Sequence, residues 1–201
     1  MTYIIIGITL LFSILALSNE QLMRKWIFNP YLVNHQKQWY RFFSSGFIHA
    51  DWMHLFVNMF VLYSFGQVVE SYYGEVFQEK GGYYFVLLYL GGLLISSGPT
   101  YAKNKDNAWY NSLGASGAVS GILFAAILFN PWQKIYFWGI IGIPGILLGP
   151  LYLFYEWRSG QKGGDHINHD AHFWGAIFGV VFTIILKPAI AIHFFNALMQ
   201  N

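Results

Sequence analysis

Two residues that can perform nucleophilic catalysis begin apolar segments of this sequence. Ser116 opens a run of small residues, and His172 lies near the start of a later apolar segment. A serine hydroxyl becomes an effective nucleophile when a base within hydrogen-bond distance removes its proton, and an imidazole can be that base. If the fold brings Ser116 and His172 together, the pair can perform acyl transfer.

Acyl transfer also needs hydrogen-bond donors for the oxyanion that forms, and candidates for them are present. Because Ser116 starts a predicted helix, its backbone N–H has no helical partner and lies at the positive end of the helix dipole. His54 and Asn58 are four residues apart, so they share one helix face and can add side-chain donors. His49 stands just before that helix. A single His or Asn in a membrane helix serves about as often to hydrogen-bond a neighbouring helix as to take part in a functional site. The hypothesis therefore depends on the whole group of residues.

The elements that must position these side chains are apolar enough to lie in a membrane. Charged residues make up 10% of the chain, where soluble domains carry about 25%, and hydrophobic residues make up 56%. This composition excludes a disordered chain, a basic nucleic-acid-binding domain and an ordinary cytosolic enzyme. The absence of cysteine excludes a disulfide framework, a thiolate nucleophile and cysteine-ligated zinc.

Six segments without Asp, Glu, Lys or Arg are each predicted to be a transmembrane helix. They are residues 3–18, 52–69, 82–97, 114–129, 135–155 and 171–186. The expected fold is therefore all-α, a single polytopic membrane domain over residues 1–201. The second, fourth and sixth segments start from the same face, so Ser116, His172, His54 and Asn58 would share one leaflet.

No acidic residue falls within the six segments, so we expect a Ser116/His172 dyad whose imidazole is oriented by Trp174 or another aromatic ring.

Two glycine pairs with four-residue spacing favour close packing of the fourth and sixth segments. They are Gly117 with Gly121, and Gly175 with Gly179. By helical spacing His172 lies on the same stripe as the second pair. Either glycine pair, taken alone, more commonly indicates only close packing between helices. Here it would also hold the imidazole of His172 against a neighbouring helix.

The combined motifs resemble those of the rhomboid intramembrane serine proteases. They are Gly114-Ala115-Ser116-Gly117 and the run from Ala171-His172 to Gly175 and Gly179, preceded by His49, His54 and Asn58. Each motif is weak alone, but the ordered set is specific and the six-span core covers nearly the whole chain. The resemblance implies that Ser116 is the nucleophile and His172 the general base. It also implies that the Ser116 backbone, His54 and Asn58 bind the oxyanion.

The resemblance assigns structural roles to several neighbours of the site and implies a substrate class. The structural residues would be His49, Gly114, Gly117, Gly175, Gly179, and the Trp39 and Arg41 pair in the first loop. The substrate would be a protein with a membrane helix. We expect no metal or other cofactor and no nucleic-acid partner, and the oligomeric state stays open. In the fifth segment Gly139, Gly142, Pro144, Gly145, Gly149 and Pro150 indicate a kinked or movable helix, the lateral gate of rhomboids.

The distribution of positive charge disagrees with the orientation that the resemblance implies. Eight Lys and Arg residues lie on the face with the long loops, and three on the face with the termini. The positive-inside rule would place the first face in the cytoplasm, whereas rhomboids usually have cytoplasmic termini. We follow the family, because Arg41 is expected to be fixed structurally. The expected location is a bacterial inner membrane, with the site opening to the face opposite the termini.

Two alternatives remain. His166, His169 and His172 are spaced three apart with Asp165 and Asp170 beside them, and such a set suits Zn or Fe. The protein would then be a metal-dependent membrane enzyme or a metal transporter, although the H-E-x-x-H pattern is absent. The other alternative is an inactive rhomboid relative that binds membrane helices without cutting them.

Overall fold

A computed structural model describes residues 1–137, 140–164 and 167–199, and these residues form a helical bundle. Its helices are α1 (Thr2–Ser18), α2 (Glu20–Trp26), α3 (Pro30–Gln36), α4 (Arg41–Ser44), α5 (Trp52–Phe77), α6 (Gly81–Asn104), α7 (Ser116–Phe129), α8 (Gly145–Lys162), α9 (His169–Leu186) and α10 (Ala189–Met199). Strands β1 (Lys134–Phe137) and β2 (Ile141–Pro144) form one antiparallel hairpin. The predicted all-α fold class is confirmed.

The described residues include two helical stretches that are long and apolar enough to cross a membrane by length and composition. One is Trp52–Asn104, which contains both α5 and α6, and the other is α9. Helices α1, α7 and α10 are apolar but shorter. On α5 the large side chains of Phe56, Phe60 and Tyr63 share one helix face and are exposed. Such a stripe fits a lipid-facing surface, and the six-span arrangement stays a prediction.

Helix α7 occupies the centre of the bundle. From Gly117 to Phe129 its residues are buried, with Leu123 the partly exposed one. It packs against α5, α6 and α9, and its small residues let these neighbours come close. A Cβ at Gly92 of α6, for example, would lie 2.9 Å from the Cα of Ala118. The bundle therefore surrounds the helix that begins with Ser116.

The two predicted glycine pairs meet at the contact between α7 and α9. A Cβ added at Gly175 would lie 2.0 Å from the carbonyl oxygen of Gly117, and one at Gly179 would lie 2.0 Å from that of Gly121. Real Cβ atoms do not approach so closely, so only glycine permits this backbone contact. The close packing predicted from the spacing is confirmed.

The fifth predicted helix, residues 135–155, is wrong in its first part. There the chain forms the hairpin of β1 and β2, with Lys134 paired to Pro144, and α8 begins only at Gly145. The residues Ile135, Tyr136 and Phe137 are β-branched or aromatic types that favour strands, and Pro144 resists a place in a helix interior. Gly139 lies outside the described residues. Helix α8 also runs on to Lys162, beyond the predicted end.

Helix α10 is not predicted by the charge pattern. It packs across the C-terminal end of α7, where His193 Nε2 lies 3.0 Å from the carbonyl oxygen of Phe129. Trp132 Nε1 donates to the carbonyl of Ala197 at 3.0 Å. These contacts supply a partner for one of the carbonyls that a helix leaves unpaired at its end.

Candidate active site

Ser116 and His172 are in direct hydrogen-bond contact. Ser116 is the first residue of α7, and His172 lies in the first turn of α9. The Oγ of Ser116 is 2.7 Å from the Nε2 of His172. The close approach of the two helices brings these side chains together, because Gly117 and Gly175 lie within one turn of them. The distance is short enough for direct proton transfer from the hydroxyl to the imidazole.

The other ring nitrogen of His172 contacts a carboxylate, which contradicts the expectation that no acidic residue orients it. His172 Nδ1 lies 3.1 Å from Oε1 of Glu156, and the glutamate is buried, with 4% of its side chain exposed. An ionised carboxylate only accepts hydrogen bonds, so Nδ1 carries the proton and the lone pair of Nε2 points to Ser116. This is the tautomer that a general base needs.

Sequence reasoning missed Glu156 because the fifth charge-free segment ends one residue before it. The structure extends α8 to Lys162, so Glu156 lies inside that helix and faces α9. The expected support from Trp174 is wrong, because Trp174 is 42% exposed and its ring packs on Phe173. An aromatic ring that does lie edge-on to His172 is the imidazole of His169, at a centroid distance of 6.3 Å. The sequence does carry a signal for Glu156: it is an acidic residue directly after an apolar segment, near the expected depth of His172.

The second oxygen of Glu156 also has an imidazole partner. His169 Nδ1 lies 2.5 Å from Oε2, and the side chain of His169 is 3% exposed. Glu156 therefore bridges the two histidines on the first turn of α9. One turn earlier on α8, Tyr152 makes a 2.8 Å hydrogen bond with Ser120 of α7. Helix α8 is thus joined to both central helices on the side that faces the site.

An open cleft of about 750 Å³ leads to these residues. It lies between α5 and α8, with the first turns of α7 and α9 at its base. Its polar lining includes Ser116, His172, Glu156, His54 and Asn58, and its apolar lining includes Met53, Val57, Val61, Leu123 and Ile167. A separate cavity of about 20 Å³ lies near Ser116 and is lined partly by Ser45, Ser96, Ser97, Ser112 and Asn168. That volume holds about one water molecule.

The side chains of the two predicted oxyanion donors line the same cleft as Ser116. Gly114 makes room for His54: its φ is +114°, and a Cβ there would lie 2.6 Å from Cε1 of the imidazole. Asn58 is buried and donates one N–H to the backbone carbonyl of His54 at 2.9 Å, and its amide has a second N–H. These groups can supply donors beside the backbone N–H of Ser116.

His49 is fully buried behind the loop that carries the serine. Its Nε2 accepts a hydrogen bond from the backbone N–H of Ala115 at 3.4 Å. Ser13 donates to the carbonyl of Phe47 at 3.0 Å, so at 2.9 Å the Nδ1–H of His49 donates to the Ser13 hydroxyl. Burial lowers the pKa of His49 to about 3, which keeps the imidazole neutral. His49 therefore fixes the residue before Ser116.

Trp39 and Arg41 are not part of the cleft lining. Arg41 is buried and donates from Nη1 to the carbonyls of Arg24 at 3.1 Å and Ile27 at 2.5 Å, where α2 ends. Trp39 is half-exposed and stacks on Phe42 at a centroid distance of 6.2 Å. Arg41 thus supplies partners for carbonyls that the helix end leaves unpaired.

The first loop is in turn attached to the segment before the serine. Phe28 and Ser112 exchange two backbone hydrogen bonds of 3.0 Å, and Asn29 donates to the carbonyl of Ala108 at the same distance. Through these contacts the segment held by Arg41 helps to position the chain that enters α7.

Three of the described residues form a cluster of side chains of the types that bind metal ions. The donor atoms of Glu156, His169 and His172 all lie within 4.8 Å of one another. His166 and Asp165, which the metal hypothesis includes, lie outside the described residues. Asp170 forms an ion pair of 2.6 Å with Lys103. The metal alternative therefore depends on Glu156, His169 and His172, the first of which the sequence hypothesis did not include.

Comparison with known proteins gives matches over most of the chain. A family model described as the Rhomboid domain matches residues 36–189. The chain is 32% identical over 176 residues to Rhomboid-like protein 11, chloroplastic, of Arabidopsis thaliana, which covers 78% of this chain and 56% of that protein. It is 30% identical over 146 residues to the Arabidopsis RHOMBOID-like protein 12, mitochondrial, covering 69% and 44%.

A further match is Presenilin-associated rhomboid-like protein A, mitochondrial, of Danio rerio, with 32% identity over 148 residues covering 68% of this chain and 34% of the relative. The chain thus matches about half, or less, of the length of these relatives. Their names give a family and an organelle, and none of them states an enzymatic activity.

Proposed function

This chain belongs to the rhomboid family, whose members are membrane-embedded, and on that premise we propose that it is a serine endopeptidase acting within the membrane. It hydrolyses peptide bonds in or near the transmembrane helices of other proteins. The observation that carries the proposal is the 2.7 Å contact between Ser116 Oγ and His172 Nε2 at the base of an open cleft.

The proposed reaction proceeds by acyl transfer in two stages. Ser116 Oγ attacks the carbonyl carbon of the scissile bond while its proton moves to His172 Nε2, and the carbonyl π electrons move onto the oxygen. When this oxyanion collapses, the C–N bond breaks and the amine takes the proton from His172. Water then gives a proton to the same imidazole and attacks the ester carbonyl. When this second oxyanion collapses, the C–O bond to Ser116 breaks and Oγ takes the proton from His172, which releases the carboxylic acid and restores Ser116.

The oxyanion is bound by donors that converge on the cleft. The backbone N–H of Ser116 lies at the N-terminus of α7, where the helix dipole favours negative charge. His54 and Asn58 supply side-chain N–H groups from α5. We expect His54→Ala to lower the rate by ~10²–10³ and to leave residual reaction with a covalent probe, because the other donors remain.

The form of the cleft supports a polypeptide substrate from the lipid phase. Its apolar lining comes from Met53, Val57 and Val61 of α5 and from Val119 and Leu123 of α7, and Ser116 and His172 line the same cleft. A helical backbone uses its carbonyls in internal hydrogen bonds, so the substrate must unwind locally before Ser116 can reach one. The hydroxyl-lined cavity near Ser116 can hold the water that the second stage consumes.

The compartment and orientation belong to the same proposal. We place the protein in a bacterial inner membrane, with cytoplasmic termini and a site that opens to the other face. The chloroplastic and mitochondrial relatives do not support the bacterial part. Burial of Arg41 supports leaving this residue out of the charge count. A reporter fused after Asn201 that reads out in the cytoplasm is the expected result, and a reporter on the other side would overturn the orientation.

Purified protein in detergent tests the activity directly. We expect cleavage of a generic membrane-helix substrate that resists EDTA, and loss of cleavage in Ser116→Ala and in His172→Ala with the fold retained. Loss of activity on chelation would favour the metal site formed by Glu156, His169 and His172. Substrate binding without any cleavage or covalent labelling would favour the inactive relative.

A further inference from the structure

Glu156 is a buried carboxylate in direct contact with the imidazole of His172. It projects from α8 across to the first turn of α9, and 4% of its side chain is exposed. Burial of a charged group is costly unless hydrogen bonds compensate it. Both carboxylate oxygens have imidazole partners, Oε1 at 3.1 Å and Oε2 at 2.5 Å. The hydrogen bonds from the two imidazoles therefore compensate the cost of burying the carboxylate, a cost that an apolar residue at this position would not have.

The electrostatic surroundings favour the ionised form of this carboxylate. His169 is the first residue of α9, so Glu156 lies beside the N-terminal turn of that helix, where its dipole stabilises negative charge. With the Nδ1–H of each histidine donating, an ionised Glu156 and two neutral imidazoles account for the 3.1 Å and 2.5 Å contacts between the carboxylate and the histidines. This arrangement leaves Nε2 of His172 unprotonated and directed at Ser116.

We infer that Glu156 is a positioning residue for His172, so that the site works as a Ser116–His172–Glu156 triad. This inference rests on the proposed serine protease function. Glu156 holds the imidazole in the tautomer and orientation that accept the proton of Ser116, and it stabilises the imidazolium formed during attack. The proton stays on the imidazole until the amine takes it, and the carboxylate remains ionised throughout.

His169 has a supporting part in this cluster. Its hydrogen bond to Oε2 fixes the rotation of the carboxylate, so that Oε1 faces His172. Because Glu156 belongs to α8, the wall of the cleft, the orientation of the base depends on the position of that helix. The hydrogen bond between Tyr152 and Ser120 is a second link from α8 to the bundle, which favours retention of the fold when Glu156 is changed.

The test uses Glu156→Gln in the full chain, with Glu156→Asp as the conservative variant. Glu75→Gln makes the same chemical change at an exposed position of α5 and is the matched control. Proteins in detergent are compared by thermal unfolding, by kcat and KM for a membrane-helix substrate, and by the rate of fluorophosphonate labelling across pH. Wild type and Ser116→Ala are measured first. An inactive wild type refutes the proposed function, whereas an active wild type leaves only Glu156 in question.

We expect Glu156→Gln to lower kcat by ~10²–10⁴ with KM nearly unchanged, by comparison with the loss of about 10⁴ when the acid of a Ser-His-Asp triad becomes an amide. The acid limb of the pH profile is expected to move to lower pH, because the carboxylate no longer stabilises the protonated imidazole. Glu156→Asp keeps the charge and should recover part of kcat. Among the described residues, the other ionisable side chains around this pair are Tyr152 on α8, His169 and Asp170 on α9, and His54 on α5 with Asp51 beside it.

A purely structural tether between α8 and α9 gives a different result. It would lower the unfolding temperature and the amount of active protein, and the pH limb would stay in place. Either that pattern, or wild-type kcat in Glu156→Gln, overturns the inference. If Glu156→Gln does not fold, Glu156→Leu with His169→Leu replaces the buried polar pair by apolar groups, a change that proteins often tolerate. The same loss of kcat is expected there, and full activity would again refute the triad.

Discussion

Substitution of Gly175 by alanine tests the claim that backbone contact between α7 and α9 holds Ser116 and His172 together. A Cβ at this position would lie 2.0 Å from the carbonyl oxygen of Gly117, whereas ordinary contacts begin near 3.4 Å. The helices must therefore separate by about 1.4 Å at this point. His172 lies three residues before Gly175, and the carbonyl belongs to the residue after Ser116.

A separation of that size is large compared with the hydrogen bond. Added to the 2.7 Å between Ser116 Oγ and His172 Nε2, it would stretch the distance to about 4 Å, beyond direct proton transfer. A misplacement of about 1 Å can cost ~10² in rate. We therefore expect fluorophosphonate labelling of Ser116 to slow by at least ~10² in Gly175→Ala, with a loss of stability of about 1–3 kcal/mol from overpacking.

Two matched variants separate the effect on the site from general damage. Gly7→Ala adds a methyl group to α1 where no atom lies within 4 Å, so its labelling rate should equal that of wild type. Gly179→Ala creates an equal clash one turn further from the site, with the carbonyl of Gly121 at 2.0 Å. It should lose similar stability and less labelling. Labelling of Gly175→Ala at the wild-type rate would refute the packing argument.

Three further predictions concern residues around the site. Gly114→Ala places a side chain at φ +114° against His54, so we expect a strain of about 1–3 kcal/mol and slower labelling; an unchanged labelling rate would contradict this. Arg41→Lys loses the guanidinium, whose Nη1 donates to the carbonyls of Arg24 and Ile27 and whose Nε donates to Gln38. It should lower the unfolding free energy by about 1–3 kcal/mol, with labelling per folded molecule unchanged and the exposed Arg24→Lys near wild type. Burial lowers the pKa of His49 from 6.5 to about 3, so between these two pH values the unfolded chain binds one more proton than the folded chain. The free energy of unfolding therefore falls as the pH falls through this window, by up to about 1.4 kcal/mol per pH unit. Chemical unfolding of wild type and His49→Gln at pH 7 and pH 5 should show this extra loss in wild type, and equal losses would contradict it.

The meeting of α7 and α9 could be predicted because glycine spacing is a local property of the sequence. Four-residue spacing places Gly117 beside Gly121, and Gly175 beside Gly179, on a helix stripe whatever the rest of the chain does. His172 on the same stripe then follows from helical geometry. The structure agrees because close backbone contact admits glycine and excludes larger residues.

Glu156 and the hairpin could not be found by the same reasoning. An acidic residue ends a charge-free segment by definition, so the predicted span stops before Glu156, which the structure places inside α8. The hairpin of β1 and β2 replaces helix in an apolar segment whose Gly and Pro residues fit a kinked helix as well as a turn, and apolar composition does not separate a strand from a buried helix. The contacts of His49 with Ser13 and Ala115 join distant parts of the chain, and no local pattern reports them.

The central claim is that Ser116 is a nucleophile activated by His172. The most direct measurement is mass-spectrometric mapping of a fluorophosphonate adduct on the purified full chain, with His172→Ala and Ser116→Ala in parallel. We expect one phosphonylated residue, Ser116, with no adduct in Ser116→Ala and a strongly reduced rate in His172→Ala. An unlabelled wild-type protein, or a His172→Ala variant that reacts as fast as wild type, would contradict the claim.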